Sequence, residues 1–205
     1  MVMNIECLTI CVAHNHRSYM DDGLVIFPKC VCALNEAICG LDIPVELVVC
    51  DFGGLGGWIY DAAEMPVRIL ECDLPFSVGM GRNIAAMQGR GNALYFCDTD
   101  MLTPTEVIQA GLAAVRSGKA LFPLYKRYAG RNCKEWAWGS GHGNSIVSRE
   151  HYYQSGMFPV RNTYGGEDAQ FANWFEARNL MVREKFENYY HLWHPKNTAW
   201  HLTKQ

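Results

Sequence analysis

The stretch Leu94-Tyr95-Phe96-Cys97-Asp98-Thr99-Asp100-Met101 decides how we interpret this sequence. Its first residues are apolar and favour an extended strand, which delivers two carboxylates one residue apart. Side chains at positions i and i+2 of a strand share a face, so Asp98 and Asp100 are expected to converge on one cation where the strand ends. The stretch therefore predicts a ligand site at the end of a buried strand.

The residues that follow this stretch predict a helix. Thr103-Pro104-Thr105-Glu106 combines an N-cap residue, a proline at the first helical position and a capping-box glutamate. The two carboxylates are therefore expected at a strand-to-helix corner, where open α/β sheets bind their ligands. An arbitrary pair of nearby aspartates is more often a solvated turn, so the rest of the chain has to support the site.

The composition fits one soluble domain. The chain has 205 residues, 49% of them hydrophobic, which suffices for a single domain with a core. A formal charge of −3 gives no overall field that would attract nucleic acid or an anionic membrane. Nine scattered cysteines predict reduced thiols in a cytoplasmic protein. No apolar run approaches the ~20 residues of a membrane span, and no signal peptide is recognised.

Short apolar runs alternate with helical patterns along the chain, and this alternation predicts a mainly parallel sheet with helices on both faces. The remaining predicted strands of the chain are 8–13, 45–50, 67–70, 120–124 and the brief 144–147. Pro28 is expected to break or begin the helix after the first strand. Loops that follow parallel strands meet at one edge of a sheet. The polar residues expected there, beside the two aspartates, are Asn15, Arg17, Asp51, Arg82 and Asn83.

Two segments of the second half are also candidate binding regions. Residues 125–138 interleave cations and aromatic residues, a mixture that suits sugars, phosphates or bases, although a solvated loop with inward aromatic side chains explains it equally well. Gly165 and Gly166 precede Glu167 and Asp168 at a predicted helix start, which suggests close backbone approach to a bound molecule. An acidic first turn that complements the helix dipole is the simpler alternative.

Taken together, these segments resemble the family 2 glycosyltransferases of the GT-A fold. The likeness rests on the order of a first strand, VVCDFGG, a helix opening with GRN, YFCDTDM, YGGED and HLWHP, which spans nearly the whole chain. Within this family, the sequence most resembles the branch shared with galactosyltransferase and chondroitin-polymerase domains. The resemblance implies one GT-A domain over residues 1–205, with a nucleotide-sugar-binding half to about residue 102 and an acceptor-binding and catalytic half from about 103.

The resemblance implies roles for the residues of the first half. Asp51 would contact the nucleotide base, and Arg82 with Asn83 would hold the nucleotide. Asn15 and Arg17 are expected to take part in the same donor site. Phe52 stands where the family more usually has an acidic or small polar residue, which leaves base recognition less defined.

The resemblance also implies a divalent metal ion. Asp100 would bind it, while Asp98 would tend toward the ribose or a bound water at the same metal site. His194, or alternatively His191, would supply a later metal ligand. Mixed carboxylate and imidazole ligation favours Mn²⁺, with Mg²⁺ as the alternative.

The second half is expected to carry the catalytic and acceptor-binding groups. Asp168 would be the general base of an inverting transfer, and Glu167 would orient acceptor hydroxyls. The side chains and backbone expected to line the acceptor pocket are those of Trp136, Trp138, His142 and Gly166. The donor would be a nucleoside-diphosphate sugar, UDP-linked by resemblance. The acceptor could be a glycan, a lipid-linked sugar, a protein or a hydroxylated nucleobase in DNA.

Three other functions fit parts of the sequence less well. A phosphatase of the haloacid dehalogenase type usually places its aspartate pair after the first strand and is disfavoured. A sugar nucleotidylyltransferase has its glycine-rich loop after the first strand, whereas Gly79-Met80-Gly81-Arg82 comes much later. A non-catalytic nucleotide-sugar or glycan-binding module would have no need for a general base such as Asp168.

Overall fold

The structure is a computed structural model that describes residues 3–15, 23–128, 134–139, 142–161 and 165–193. Within these residues the chain forms eleven strands, which are β1 Leu8–His14, β2 Val45–Asp51, β3 Val67–Glu71, β4 Ala93–Phe96, β5 Met101–Leu102, β6 Ala120–Leu121, β7 Leu124–Tyr128, β8 Trp136–Gly139, β9 Ser145–Ser148, β10 Met181–Val182 and β11 Lys185–His191. The same residues form six helices, which are α1 Gly23–Ile38, α2 Trp58–Ala62, α3 Val78–Gln88, α4 Thr105–Arg116, α5 Arg149–Gln154 and α6 Glu167–Glu176.

A seven-stranded sheet in the order β10-β6-β9-β4-β1-β2-β3 forms the centre of the protein. Its strands pair in parallel except at β9, which runs antiparallel to both β4 and β6. All four residues of β4 are buried, as expected for a strand covered on both faces. Tyr95 joins the core cluster that includes residues of α1 and α4, whereas Leu94 and Phe96 join the cluster that includes residues of α3 and α6. The predicted α/β architecture with helices on both faces is thus present.

The sheet ends earlier at the aspartates than the sequence predicts. β4 stops at Phe96, and Met101 already belongs to β5 in a second sheet. Asp98 and Asp100 therefore lie in the connection between two sheets. The expectation that they share one face of a strand is wrong, because neither residue is in a strand.

The second sheet has four strands in the order β5-β11-β7-β8. β11 pairs in parallel with β7 and antiparallel with β5, and β8 forms the far edge by antiparallel pairing with β7. This sheet is not predicted from the sequence, since the residues of β7 and β8 show no clean period. It brings the C-terminal strand β11 next to the aspartate-bearing connection.

Two helix starts differ from the expected pattern. α4 begins at Thr105, and Pro104 at its N-cap position provides no side-chain cap. Thr103 does not act as the predicted cap, because its hydroxyl bonds that of Tyr95 at 2.7 Å inside the core. Pro28 lies within α1, and the helix continues through it.

No helix in the described parts of the chain combines the length and apolar character that a membrane span requires.

Candidate active site

The guanidinium group of Arg82 forms the centre of the candidate site. Ser77 caps α3 by accepting a hydrogen bond from the backbone N–H of Met80 at 3.4 Å. α3 then packs closely on β1, because a Cβ at Gly81 would lie only 2.6 Å from Cβ of Ala13. This close approach leaves the Arg82 side chain at the end of the sheet and only 1% exposed.

Arg82 joins two distant parts of the chain. Its Nη2 donates to Oδ1 of Asp98 at 2.6 Å, and its Nη1 donates to Oδ1 of Asp168. Asp168 lies in the first turn of α6, so one buried cation links the aspartate-bearing connection to the start of that helix. Three residues that the sequence analysis singled out separately are thereby brought together.

Asn144 holds the other side of Asp98 and was missed by the sequence analysis. Its Nδ2 donates to Oδ2 of Asp98 at 2.9 Å, while its Oδ1 accepts from the backbone N–H of Asp98 at 2.9 Å. Both carboxylate oxygens of Asp98 are therefore bonded to protein groups, and its expected place toward the ribose or a bound water at the metal site stays a prediction. The position of Asn144 follows from the antiparallel pairing of β9 with β4, and no residue spacing along the chain signals that pairing.

Gly143 is a second residue that the sequence analysis missed. A Cβ at this position would collide with Nη2 of Arg82 and lie 2.8 Å from Oδ2 of Asp168. Backbone therefore packs directly against the ion pair, and only glycine allows this contact without a shift of charged groups.

Asp100 lies against His191. Oδ2 of Asp100 is 3.2 Å from Nε2 of His191, and the backbone N–H of Leu192 donates to the Asp100 carbonyl at 2.8 Å. The His191 ring also stacks on Tyr125, with centroids 5.9 Å apart. Pairing of β11 with β5 produces this arrangement, since it sets His191 opposite Met101. His194, the alternative ligand, lies outside the described residues.

The donors at Asp100 fit part of a divalent-metal site. Within the described ranges no cluster of three or more His, Cys, Asp or Glu side chains could hold an ion. Asp100 and His191 nevertheless offer one carboxylate and one imidazole, a set that suits Mn²⁺ and tolerates Mg²⁺ when diphosphate oxygens and water complete the coordination.

Burial controls the charges of the cluster. Burial raises the pKa of Asp98, and the neighbouring positive charge of Arg82 opposes that shift. Burial alone would lower the pKa of Arg82, but Asp168 and Asp98 outweigh it and raise that pKa above its ordinary value. Burial likewise raises the pKa of Glu167, whose Oε2 has no hydrogen-bond partner within the described residues. Arg82 thus stays charged, whereas burial disfavours the charged forms of Asp98 and Glu167.

The residues expected to contact the nucleotide base lie where β1 and β2 end. Oδ1 of Asp51 is 2.9 Å from Nδ1 of His14 and accepts from the backbone N–H of Gly53 at 3.0 Å. Its Oδ2 accepts from the backbone N–H of Leu55 at 3.1 Å. Asp51 therefore holds the loop after β2 in shape, and His14 is a partner that the sequence analysis missed. Asn15 directly follows β1, whereas Arg17 lies outside the described residues.

Asn83 lies beneath the site. Its Nδ2 donates to the carbonyl of Phe158 at 2.8 Å, and its Oδ1 accepts from the N–H of Phe158 at 3.1 Å and from the Tyr152 hydroxyl at 2.8 Å. These bonds fix the segment around Phe158, and the nucleotide contact implied by the resemblance stays a prediction.

The acceptor-side residues fall into two groups. Gly166 precedes α6 with φ +91, a conformation that glycine adopts readily, and the partly buried His142 packs against Phe122 at 6.3 Å. Burial and the charge of Arg183 lower the pKa of His142. By contrast, Trp136 and Trp138 extend from the face of the second sheet opposite to His191, as the strand registers require.

Comparison with known proteins supports the fold. No family model matches the chain, and no curated protein matches it. Among solved structures, S. aureus TarS 1-349 in complex with UDP-GlcNAc matches with a TM-score of 0.70 and 15% identity over 94% of this chain and 60% of that one. A second structure of S. aureus TarS matches with a TM-score of 0.64 and 18% identity, over 92% of this chain and 37% of that one. The UDP complex of TarS 1-349 matches with a TM-score of 0.63 and 17% identity, over 89% of this chain and 59% of that one.

At these identities the likeness shows the fold alone. The expected GT-A glycosyltransferase fold is confirmed, while nothing in the comparisons supports the galactosyltransferase and chondroitin-polymerase branch. The chain spans three fifths or less of each of these TarS chains.

Proposed function

We propose that this chain is the nucleotide-sugar-transferring domain of a metal-dependent, inverting glycosyltransferase with Asp168 as its general base. The observation that supports this most directly is the buried Arg82, which joins Asp98 after β4 to Asp168 at the start of α6. A carboxylate is thereby held next to the connection that would receive a diphosphate and its cation. The fold shared with UDP-bound TarS supports a UDP-sugar as the donor.

On the donor side, Asp100 and His191 would hold the divalent ion. A bound Mn²⁺ or Mg²⁺ would supply Lewis-acid neutralisation of the charge that develops on the leaving diphosphate. The backbone loop that Asp51 and His14 fix would receive the nucleotide base. The division into a donor half to about residue 102 and an acceptor half from about 103 remains part of this proposal.

On the acceptor side, Asp168 would take the proton. Its Oδ1 bonds Arg82, which leaves Oδ2 as the oxygen that accepts the acceptor hydroxyl proton. The acceptor oxygen forms its bond to C1 of the sugar while the bond from C1 to the diphosphate oxygen breaks on the opposite face. Arg82 orients Asp168 throughout, and Glu167 would orient the acceptor. General-base help of this kind contributes about 10²- to 10⁴-fold to the rate.

The test is a panel of UDP- and GDP-sugars with Mn²⁺, with EDTA as control, scored for nucleoside diphosphate release. Asp168→Asn should lower kcat by about 10²-fold or more, while UDP binding measured by calorimetry changes little. Glu106→Gln, at an exposed position in the first turn of α4, is the matched control and should behave as wild type. Turnover that ignores both EDTA and Asp168→Asn would contradict the proposal.

A non-catalytic binding module is the alternative that one contact favours. The ion pair between Asp168 and Arg82 would suit a purely structural carboxylate, since through Arg82 it fastens the start of α6 to Asp98 after β4. Such a module would bind UDP-sugars without releasing UDP in the presence of any acceptor. A sugar nucleotidylyltransferase would instead release pyrophosphate from a nucleoside triphosphate and a sugar phosphate.

A further inference from the structure

The second sheet carries a partly exposed aromatic surface that the proposed reaction does not use. Register places one set of side chains on the face of this sheet opposite to His191. We call it the outer face, and its side chains are those of Lys126, Tyr128, Trp136, Trp138, Lys185 and Tyr190. Trp136 is 44% exposed, an unusual position for the largest apolar side chain.

The rings of the outer face are ordered by one another and by ammonium groups. Trp136 and Trp138 meet edge to face with centroids 5.4 Å apart. Nζ of Lys126 lies 4.7 Å from the centroid of Trp136, and Nζ of Lys185 lies 5.2 Å from that of Trp138. These cation–π contacts hold the indoles in place before any ligand arrives.

One of the two lysines of this face is paired with a carboxylate. Lys126 forms an ion pair with Glu187, so its charge is already compensated. Binding of single-stranded nucleic acid depends on several cations that neutralise phosphates, and this face offers only Lys126, which is paired, and Lys185. A dry protein interface depletes charge from its centre, whereas here ammonium groups lie over the ring faces.

Neutral sugar rings match this chemistry best. One face of a pyranose presents C–H groups, which are attracted to electron-rich aromatic rings, and the exposed part of Trp136 offers ring surface that Lys126 does not cover. Its hydroxyl rim can donate to a carboxylate such as Glu187 and accept from an ammonium such as Lys126.

The outer face is also connected to the candidate active site. β8 is the edge strand of the second sheet, and Trp138 precedes Gly143 by only five residues. Five residues span at most about 18 Å, and Gly143 packs directly against Asp168. A chain-like ligand with its terminal hydroxyl at Asp168 could therefore pass around the β8 edge onto the rings.

We propose that the outer face of the second sheet binds the distal units of a neutral oligosaccharide acceptor. This inference rests on the proposed glycosyltransferase function, because it assigns the acceptor class of the same site. It selects a glycan over the nucleobase and protein acceptors considered from the sequence.

The test is direct binding to the full chain. Hexasaccharides of β-1,4-linked glucose and of β-1,4-linked N-acetylglucosamine are titrated by calorimetry and tryptophan fluorescence, beside a 12-nucleotide thymidine strand. At least one hexasaccharide should bind wild type, and Trp136→Ala with Trp138→Ala should weaken that binding at least tenfold. Tyr153→Ala, at a 49% exposed position on α5, is the control and should bind as wild type.

Several results would overturn the inference. These are the absence of binding by both hexasaccharides, tighter and salt-dependent binding of the thymidine strand, or a dimer that the tryptophan variant converts to monomer. A Trp138→Phe variant, which keeps an aromatic face, separates lost stacking from lost folding. A separate UDP titration of wild type tests the donor site, so UDP binding without hexasaccharide binding rejects this surface alone.

Discussion

The candidate active site and the outer face of the second sheet are built in opposite ways. At the end of the central sheet, Arg82 and Asn144 are almost wholly buried and fasten Asp98 by charge and hydrogen bonds. On the outer face, Trp136 is exposed and is positioned by ring contacts. Buried charges demand fixed partners, whereas exposed rings accept many ligands of similar shape. The contrast distinguishes a rigid centre, where the proposed donor site and general base lie, from a more permissive surface proposed to bind the acceptor.

The strongest way to break this contrast is to remove the central cation. Arg82→Ala leaves Asp98 and Asp168 close together without their partner, so the free energy of unfolding should fall by about 3 kcal/mol and turnover should disappear. Urea denaturation and the UDP-release assay measure these effects. Arg68→Ala removes an exposed arginine bond to the Gln88 carbonyl and serves as control. Unchanged stability in Arg82→Ala would show that the cluster is not interdependent.

A smaller change tests whether the ion pair between Arg82 and Asp168 needs the close backbone contact of Gly143. Gly143→Ala should displace Arg82 and Asp168, lowering kcat by about 10-fold or more while the protein remains folded. Gly57→Ala is a matched control, since its Cβ would meet open space. Equal activity of the two variants would mean that the ion pair tolerates movement and that the site is less rigid than inferred.

The smallest effect concerns Glu167, whose pKa is raised by burial. A carboxyl with a raised pKa in the folded state adds stability below the unfolded value of about 4.3 and loses it as pH rises through the folded value. Wild type should therefore lose stability between acidic pH and pH 7 relative to Glu167→Gln, by about 1 kcal/mol or less. Unfolding curves at several pH values measure the difference. If wild type and Glu167→Gln show the same dependence of stability on pH, the raised pKa of Glu167 is contradicted.

The sequence predicts the buried cluster around Arg82 better than it predicts the second sheet. Local signals identify the buried strand around Tyr95, the helix that carries Arg82 and the acidic turn with Asp168, because apolar runs and glycine pairs act over a few residues. The clamp by Asn144 depends on pairing between distant strands, which leaves no local signal. The same limitation hides the second sheet and the opposite placement of Trp136 and His191.

The short strand β5 has a consequence for the aspartate pair. β4 belongs to the central sheet and β5 to the second one, so the connection that holds Asp98 and Asp100 is the seam between them. Asp98 is anchored to the first sheet through Asn144, whereas Asp100 contacts His191 on the second. A slight tilt of one sheet against the other would alter the spacing of two neighbouring carboxylates without stretching either anchor. Asp98 would then move with the central sheet and Asp100 with the second sheet, although only one residue separates them.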